Sequence, residues 1–270
     1  MTATTPVQPV LGAICWHELH TRDTSRAAAF YAALIGWKTD SAGAPGHGAY
    51  TEWVDTDGTH LGGMMAMPPG VPDTVPAHWS LYVNVADVDG SARMAQSLGG
   101  RVVVPPMDIP QIGRMATIAD PDGATLSLFK GVGKHGGMTT AREGPRQFRW
   151  HELLTHTPER AAEFHRRLLG WTTSVKTFPT GDYTMFWRPG AVQEAFEGCI
   201  GGMMKIDPAW GPMPSCWLTY ISVDSVDDSA GKVTALGGTI HSPPQDIPGV
   251  GRFAVGSDPT GALFALFRGR

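Results

Sequence analysis

The spacing of apolar residues at the start of the chain predicts a strand followed by a helix. Residues 13–21 form a run that is typical of a β-strand. Asp23 then offers a side chain that can cap a helix, and Gly36 is placed to end it. Between them, apolar side chains recur at i, i+3, i+4 and i+7, which puts them on one helix face. These residues are Ala27, Phe30, Tyr31 and Leu34.

Short strands and a second helix complete the first half of the chain. Strands are predicted near residues 49–54 and 60–67. A further strand over 78–85 leads into a helix over 87–98, which two glycines close. Three more strands are predicted near residues 101–104, 114–119 and 125–129. The first half therefore shows the order βαββ followed by βαβββ, which we interpret as two βαβββ modules.

The second half repeats this pattern. Residues 15–37 return as residues 149–171 with an offset of 134, the difference between Trp16 and Trp150. A repeat this long indicates a duplicated domain, because solenoid units span only about 20–50 residues. Mixed strands and helices without strict βαβ alternation favour the α+β class, with four βαβββ modules in two tandem domains. The predicted boundaries are 8–131 for the first domain, 132–145 for a glycine-rich linker and 146–270 for the second domain.

Composition excludes several classes of protein. The net charge is −4 without blocks of like charge, which argues against a nucleic-acid or anionic-membrane partner. The three cysteines lack the spacing of zinc or redox motifs, and the first ten residues do not resemble a signal peptide. These features predict a cytoplasmic protein, either a monomer or a homodimer, that acts on a small molecule.

Two repeated motifs resemble the vicinal oxygen chelate superfamily, which includes glyoxalase I, bleomycin- and fosfomycin-resistance proteins and extradiol dioxygenases. One motif is Asp-Thr-Ser-Arg-Ala-Ala-Ala-Phe-Tyr-Ala-Ala-Leu-Ile-Gly-Trp at 23–37, after its strand, and the other is Asp-Pro-Asp-Gly-Ala-Thr-Leu-Ser-Leu-Phe at 120–129. The resemblance covers residues 12–268 and points to the tandem, two-domain glyoxalase-like branch. It implies that each pair of modules curls around a cavity, where metal-dependent members hold a divalent cation that chelates two substrate oxygens.

The positions that hold the metal ligands in that family carry unusual residues in this chain. The resemblance places the ligands seven residues before the helix-capping Asp23, at the matching place in the second module, four residues after Gly123, and in residues 60–67. These positions hold Trp16, Ser80, Ser127 and His60, and in the second half the first three become Trp150, Leu218 and Ala265. Since indole, hydroxyl and methyl groups are poor ligands, we expect no family-type metal and no other cofactor.

Strand alternation predicts which side chains face the cavity. If Trp16 faces it, Glu18 and His20 do so as well, because successive residues of a strand point to opposite faces. The same side of the second module carries His78, Ser80 and Tyr82. In the second half the equivalent residues are Trp150, Glu152, Leu154, Cys216, Leu218 and Tyr220. The first cavity is therefore expected to be polar and the second more apolar.

These residues form the candidate site. Glu18 with His20 or His78 could serve as an acid–base pair. Alternatively, Glu18 is a structural carboxylate held by Arg114, Arg252 or backbone N–H groups. The predicted catalytic residues are Glu18, His20, His78 and Tyr82. The indole rings of the tryptophans suit a flat ligand. The predicted substrate-binding residues are Trp16, Trp53, Ser80, Ser127, Glu152, Trp150 and Tyr220.

Three functions remain open at this point. The first is a metal-independent lyase, isomerase or cyclase that acts on an aromatic or polycyclic metabolite by Glu/His acid–base chemistry. The second is a non-catalytic protein that sequesters its ligand, as bleomycin-resistance proteins do. The third is a glyoxalase- or dioxygenase-like metal enzyme with atypical ligands drawn from Glu18, His20, His60 and His78. The sequence also leaves open whether the four modules pair within each half or across halves.

Overall fold

The computed structural model describes residues 9–41, 50–135, 144–178, 181–193 and 198–270. The first repeat contains β1 Ile14–Thr21, α1 Thr24–Ile35, β2 Lys38–Ser41, β3 Thr51–Val54, β4 His60–Ala66, β5 His78–Asn84, α2 Val88–Ser97, β6 Arg101–Ile109, β7 Gly113–Ala119 and β8 Thr125–Gly131. The second contains β9 Phe148–Thr155, α3 Pro158–Leu169, β10 Thr172–Phe178, β11 Gly181–Trp187, β12 Cys199–Lys205, β13 Cys216–Ser222, α4 Val226–Ala235, β14 Thr239–Ile247, β15 Gly251–Ser257 and β16 Leu263–Gly269. Among these residues no helix is long and apolar enough to cross a membrane.

Each repeat builds one eight-stranded sheet. The strand order is β2-β3-β4-β1-β5-β8-β7-β6 in the first sheet, and the second sheet has the equivalent order β10-β11-β12-β9-β13-β16-β15-β14. The first strand of each module pairs in parallel with the last strand of the same module, as β1 does with β4 and β5 with β8. The α+β class and the four βαβββ modules are confirmed. The linker predicted at 132–145 lies mostly outside the described residues.

Packing divides the chain differently from the sequence repeat. One compact unit consists of Met1–Trp16, Leu81–Thr140 and His151–Trp217, and the other of His17–Ser80, Ala141–Trp150 and Leu218–Arg270. We call them unit 1 and unit 2. The modules therefore share sheets within a repeat, but each compact unit combines residues of both repeats. The domain boundaries proposed from the sequence stay a prediction.

The helix termini follow the sequence signals, except that a residue of the first repeat caps α3 of the second. Asp23 caps α1 by accepting a hydrogen bond from the Arg26 backbone N–H, and Gly36 ends the helix in the left-handed region at φ 81°. Thr157 occupies the cap position of α3, but its own side chain does not cap the helix. Instead, the Asp122 carboxylate accepts hydrogen bonds from the Thr157 N–H (2.8 Å) and hydroxyl (2.6 Å). A turn of the first repeat thus caps a helix of the second repeat.

The two units have equivalent aromatic cores. In unit 2, Tyr31 is fully buried and its hydroxyl accepts a hydrogen bond from Trp79 Nε1 (2.9 Å). Burial, with a smaller contribution from the charge of Asp258, raises the pKa of Tyr31. In unit 1, His165 takes the place of Tyr31, and its Nε2 lies 3.9 Å from Asp120 Oδ2, which is too far for a hydrogen bond. The core of unit 2 therefore has a buried tryptophan–tyrosine hydrogen bond, whereas Trp217 Nε1 in unit 1 has no hydrogen-bond partner in the part of the chain that the structure describes.

Candidate functional site

Glu18 and His20 stand on one face of β1 and contact each other. Residues between and beside them, His17 and Leu19, are fully buried among the residues of the core. The His20 Nε2 atom lies 3.1 Å from Glu18 Oε2, and the side chains are 20% and 6% exposed, respectively. Glu18 is therefore a nearly buried acidic side chain with an imidazole beside it.

His78, at the start of β5, joins this pair. Its ring stacks on that of His20 with centroids 5.1 Å apart and an interplanar angle of 20°. The Nδ1 atom of His78 lies 2.9 Å from the Pro76 carbonyl oxygen, so Nδ1 donates and Nε2 of the neutral ring carries a lone pair. Burial lowers the pKa of His78, and the neighbouring His20 adds to this, while the Pro76 contact and Glu18 oppose it. His78 is thus set up as a neutral imidazole base.

Two glycines of β4 lie beside β1. Gly63 pairs with Glu18 and contributes no side chain to the sheet face next to the carboxylate. Gly62 faces the other way, where a Cβ would lie 2.5 Å from the His17 carbonyl oxygen. Gly62 therefore permits close approach of β4 to β1 on one face, and Gly63 adds no side chain to the other.

Unit 1 contains a related but different arrangement around Glu152. The Tyr183 hydroxyl donates a hydrogen bond of 2.7 Å to Glu152 Oε1. Cys216 takes the place of His78, and burial, with a smaller contribution from Glu152, raises the pKa of its thiol to about 11. Sequence reasoning missed Tyr183, although the Tyr-Thr pair that begins at Tyr50 recurs there and would have been a signal.

Three other predicted site residues belong to unit 1. Tyr82 is buried and its ring packs edge-on against Phe129 with centroids 6.2 Å apart. Trp16 is partly buried and packs against the same apolar cluster, which also contains Cys15 and Met115. The Ser127 hydroxyl lies 2.9 Å from that of Thr117.

The remaining predicted residues belong to unit 2. Trp53 is fully buried in the apolar core and packs against Tyr31, Trp37 and Trp79. It lies there because it alternates with Glu52 along β3 and so points to the helix side of the sheet. Ser80 and Tyr220 are buried, and Trp150 is half-buried. The structure therefore brings Glu18, His20 and His78 together and places Trp53 away from them.

The arginines considered as partners of the glutamates are engaged elsewhere. Arg114 forms ion pairs with Asp89 (2.6 Å) and Asp108 (2.8 Å). Arg252 makes the equivalent pairs with Asp227 and Asp246. Each arginine thus ties a strand to the helix that precedes it, which is a structural role.

Comparison with known proteins places the fold in a family. The profile of the glyoxalase-like domain matches residues 15–129. Over 253 residues the chain is 36% identical to the Mycobacterium tuberculosis protein named "Putative glyoxylase CFP32", covering 94% of this chain and 93% of the relative. The chain belongs to the vicinal oxygen chelate superfamily. The tandem glyoxalase-like resemblance seen in the sequence is thereby confirmed.

Two further proteins resemble this chain at lower identity. The Streptomyces peucetius protein "Anthracycline biosynthesis protein DnrV" is 29% identical over 266 residues, covering 94% of this chain and 92% of the relative. The crystal structure of the Mn(II)-bound glyoxalase from Novosphingobium aromaticivorans is 17% identical, with a TM-score of 0.61, and covers 95% of this chain and 82% of that one. At such low identity the crystal structure shows the shared fold alone.

The divalent cation of metal-dependent superfamily members does not fit the residues present here. At the expected positions the described structure has the Trp16 indole and the Ser80 and Ser127 hydroxyls, and the last is hydrogen-bonded to Thr117. Within the described ranges, no group of three or more His, Cys, Asp or Glu side chains is arranged to hold a metal ion.

Proposed function

We propose that the protein is a metal-independent lyase, isomerase or cyclase that acts on a polycyclic aromatic compound by acid–base chemistry. The observation that carries this proposal is the cluster of Glu18, His20 and His78 on one sheet face. A carboxylate and two imidazoles within contact distance provide both a proton acceptor and a proton donor. His20 contacts the Glu18 side chain, whereas His78 contacts the Pro76 carbonyl, so we assign the two imidazoles different roles.

His78 is the proposed base. Its Nδ1–H is held by the Pro76 carbonyl, so Nε2 of the neutral ring can accept a proton from the substrate. Its lowered pKa keeps the ring neutral near pH 7. Glu18 orients His20, which is the proposed proton donor to the substrate.

Comparison of the two repeats supports a functional role for both histidines. The equivalent positions hold Leu154 and Cys216, and that sheet folds in the same way. The fold therefore does not require His20 or His78. Glu152, in contrast, occupies the position equivalent to Glu18. Because the positions of the two histidines hold Leu154 and Cys216 in the second repeat, we assign the acid–base function to the first repeat alone.

The proposed ligand class rests on chemistry and on one relative. The relative DnrV is named for anthracycline biosynthesis, and anthracyclines contain fused aromatic rings. Such compounds have acidic C–H and phenolic O–H groups next to carbonyl groups, which are suitable for imidazole bases. We further propose a cytoplasmic protein, in agreement with the free thiols of Cys15, Cys199 and Cys216.

Glu18→Gln and His78→Gln test the proposal, with Glu152→Gln as the matched control. Purified protein is incubated in D₂O with a panel of hydroxylated polycyclic quinones, and mass spectrometry follows deuterium uptake and product formation. We expect Glu18→Gln and His78→Gln to lower the rate by about 10²–10⁴-fold and Glu152→Gln to change it little. Tight binding without deuterium uptake or turnover would instead identify a sequestering protein.

A further inference from the structure

A second carboxylate–histidine pair lies on the same sheet face as Glu18. Glu52 on β3 pairs with Gly63 on β4, and Gly63 pairs with Glu18 on β1, so the three residues form one row across the sheet. Residues in one row point to the same face. Since neighbouring strands lie about 4.8 Å apart, the Glu52 and Glu18 Cα atoms are separated by about 10 Å, with a glycine between them.

His60 orients Glu52. The His60 Nδ1 atom contacts Glu52 Oε2, with side chains that are 50% and 24% exposed. A carboxylate can accept about four hydrogen bonds, so Glu52 retains capacity for a ligand while it holds the imidazole N–H. The pair is thus both accessible to a ligand and fixed in orientation.

The second repeat has lost this pair. Met185 pairs with Gly202, and Gly202 with Glu152, so Met185 takes the place of Glu52. Cys199 takes the place of His60, because it pairs with Trp187 as His60 pairs with Val54. As with His20 and His78, the fold itself requires neither Glu52 nor His60.

The second repeat also shows which ligand group suits a carboxylate beside this glycine. The Tyr183 ring lies over Gly202, where a Cβ would be 2.0 Å from the hydroxyl oxygen. The same hydroxyl donates its 2.7 Å hydrogen bond to Glu152. The second repeat thus shows a phenol that donates to the counterpart of Glu18, from a tyrosine whose counterpart in the first repeat is Tyr50.

We propose that Glu52, oriented by His60, is the specificity-determining residue for a phenolic hydroxyl at the end of the ligand remote from His78. The sheet order β3-β4-β1-β5 places Glu52 and His78 three strands apart, or about 14 Å. A fused ring system can span this distance, and a single ring cannot. This inference rests on the proposed function, because it takes His78 to mark the reacting end of the ligand.

Two probe ligands test the inference without any turnover. The ligands are 2-hydroxyanthraquinone, with a hydroxyl on one terminal ring, and 2,6-dihydroxyanthraquinone, with one on each. Dissociation constants are measured by quenching of the intrinsic tryptophan fluorescence. We expect Glu52→Gln to weaken binding of the dihydroxy compound by about 10-fold and to leave the monohydroxy compound unchanged. Asp40→Asn, which removes the exposed carboxylate paired with Glu52 in the same row, should change neither constant.

Variants of His60 separate orientation from charge. His60→Gln can still donate to Glu52 and should keep the preference for the dihydroxy compound, whereas His60→Leu should reduce it. Equal weakening of both ligands by Glu52→Gln, or no weakening of either, would overturn the role of Glu52 and leave the proposed function intact. If neither compound binds the wild-type protein at about 1 mM, the inference fails together with the proposed ligand class.

Discussion

Replacing His165 with tyrosine is expected to stabilise the protein. In unit 1 the His165 ring packs against Trp171 (5.3 Å between centroids, 28°) and Trp217 (5.7 Å, 69°). Tyr31 of unit 2 makes the same contacts with its two tryptophans, at 5.7 Å and 26° and at 5.5 Å and 77°. The two side chains therefore occupy equivalent sites with nearly equal geometry.

The gain can be estimated from the buried polar atoms. Among the described residues of unit 1, Trp217 Nε1, Asp120 Oδ2 and both ring nitrogens of His165 are buried without a hydrogen-bond partner. A tyrosine hydroxyl at this site would accept a hydrogen bond from Trp217, as Tyr31 does from Trp79. One satisfied group at about 0.5–1.5 kcal/mol gives about 1 kcal/mol in the free energy of unfolding.

Thermal unfolding measures this effect. For a chain of this size, about 1 kcal/mol corresponds to a rise in Tm of roughly 2–4 °C. His165→Phe is the matched control, because it fills similar space without a hydroxyl and leaves Trp217 Nε1 unsatisfied. Equal stabilisation by His165→Phe, or a lower Tm for His165→Tyr, would refute the hydrogen-bond reasoning. The reverse change, Tyr31→His, should lower Tm.

Three further changes test other parts of the structure. Arg22 donates a hydrogen bond of 2.7 Å to the Pro72 carbonyl, in the loop before His78. Arg22→Gln should release this loop and let the other neutral tautomer of His78 appear in ¹⁵N NMR spectra. An unchanged tautomer would show that the Arg22 hydrogen bond does not hold His78 in place. Burial lowers the pKa of His151 to about 4, so the free energy of unfolding falls as pH drops from about 6.5 to 4. In urea unfolding, His151→Asn should reduce the slope of this free energy against pH by up to about 1.4 kcal/mol per pH unit, and an unchanged slope would contradict the assignment. Gly62→Ala should lower the free energy of unfolding by more than about 2 kcal/mol, since its Cβ would clash with the His17 carbonyl; a smaller loss would show that β4 can move.

Much of the fold follows from local patterns in the sequence. The repeated helix with Asp23 and Gly36 at its ends is amphipathic and has a cap and a stop signal, so both copies could be located. Strand β2 was not predicted, because all four of its residues are exposed and polar and no alternation marks them. Strand β6 continues to Ile109 through two prolines, which an edge strand tolerates because one side needs no backbone donor.

The candidate site could be predicted in part. Alternation along β1 and β5 was sufficient to place Glu18, His20 and His78 on one face, since a two-residue period is a local property. The register that sets Glu52 beside Gly63 is not local, and it was not foreseen. Trp53 was assigned to the ligand side because nothing in the local sequence shows which face of its strand a tryptophan occupies.

The composition of the compact units bears on how such a chain could have arisen. The helix faces of one repeat are covered by strands and helices of the other, as Phe30 on α1 is by Phe264 on β16. A shorter ancestor with only one repeat would leave these faces in water unless it associated with a copy of itself. Fusion of two genes would then have made a former subunit contact intramolecular, after which one copy could lose its histidines while the other retained them.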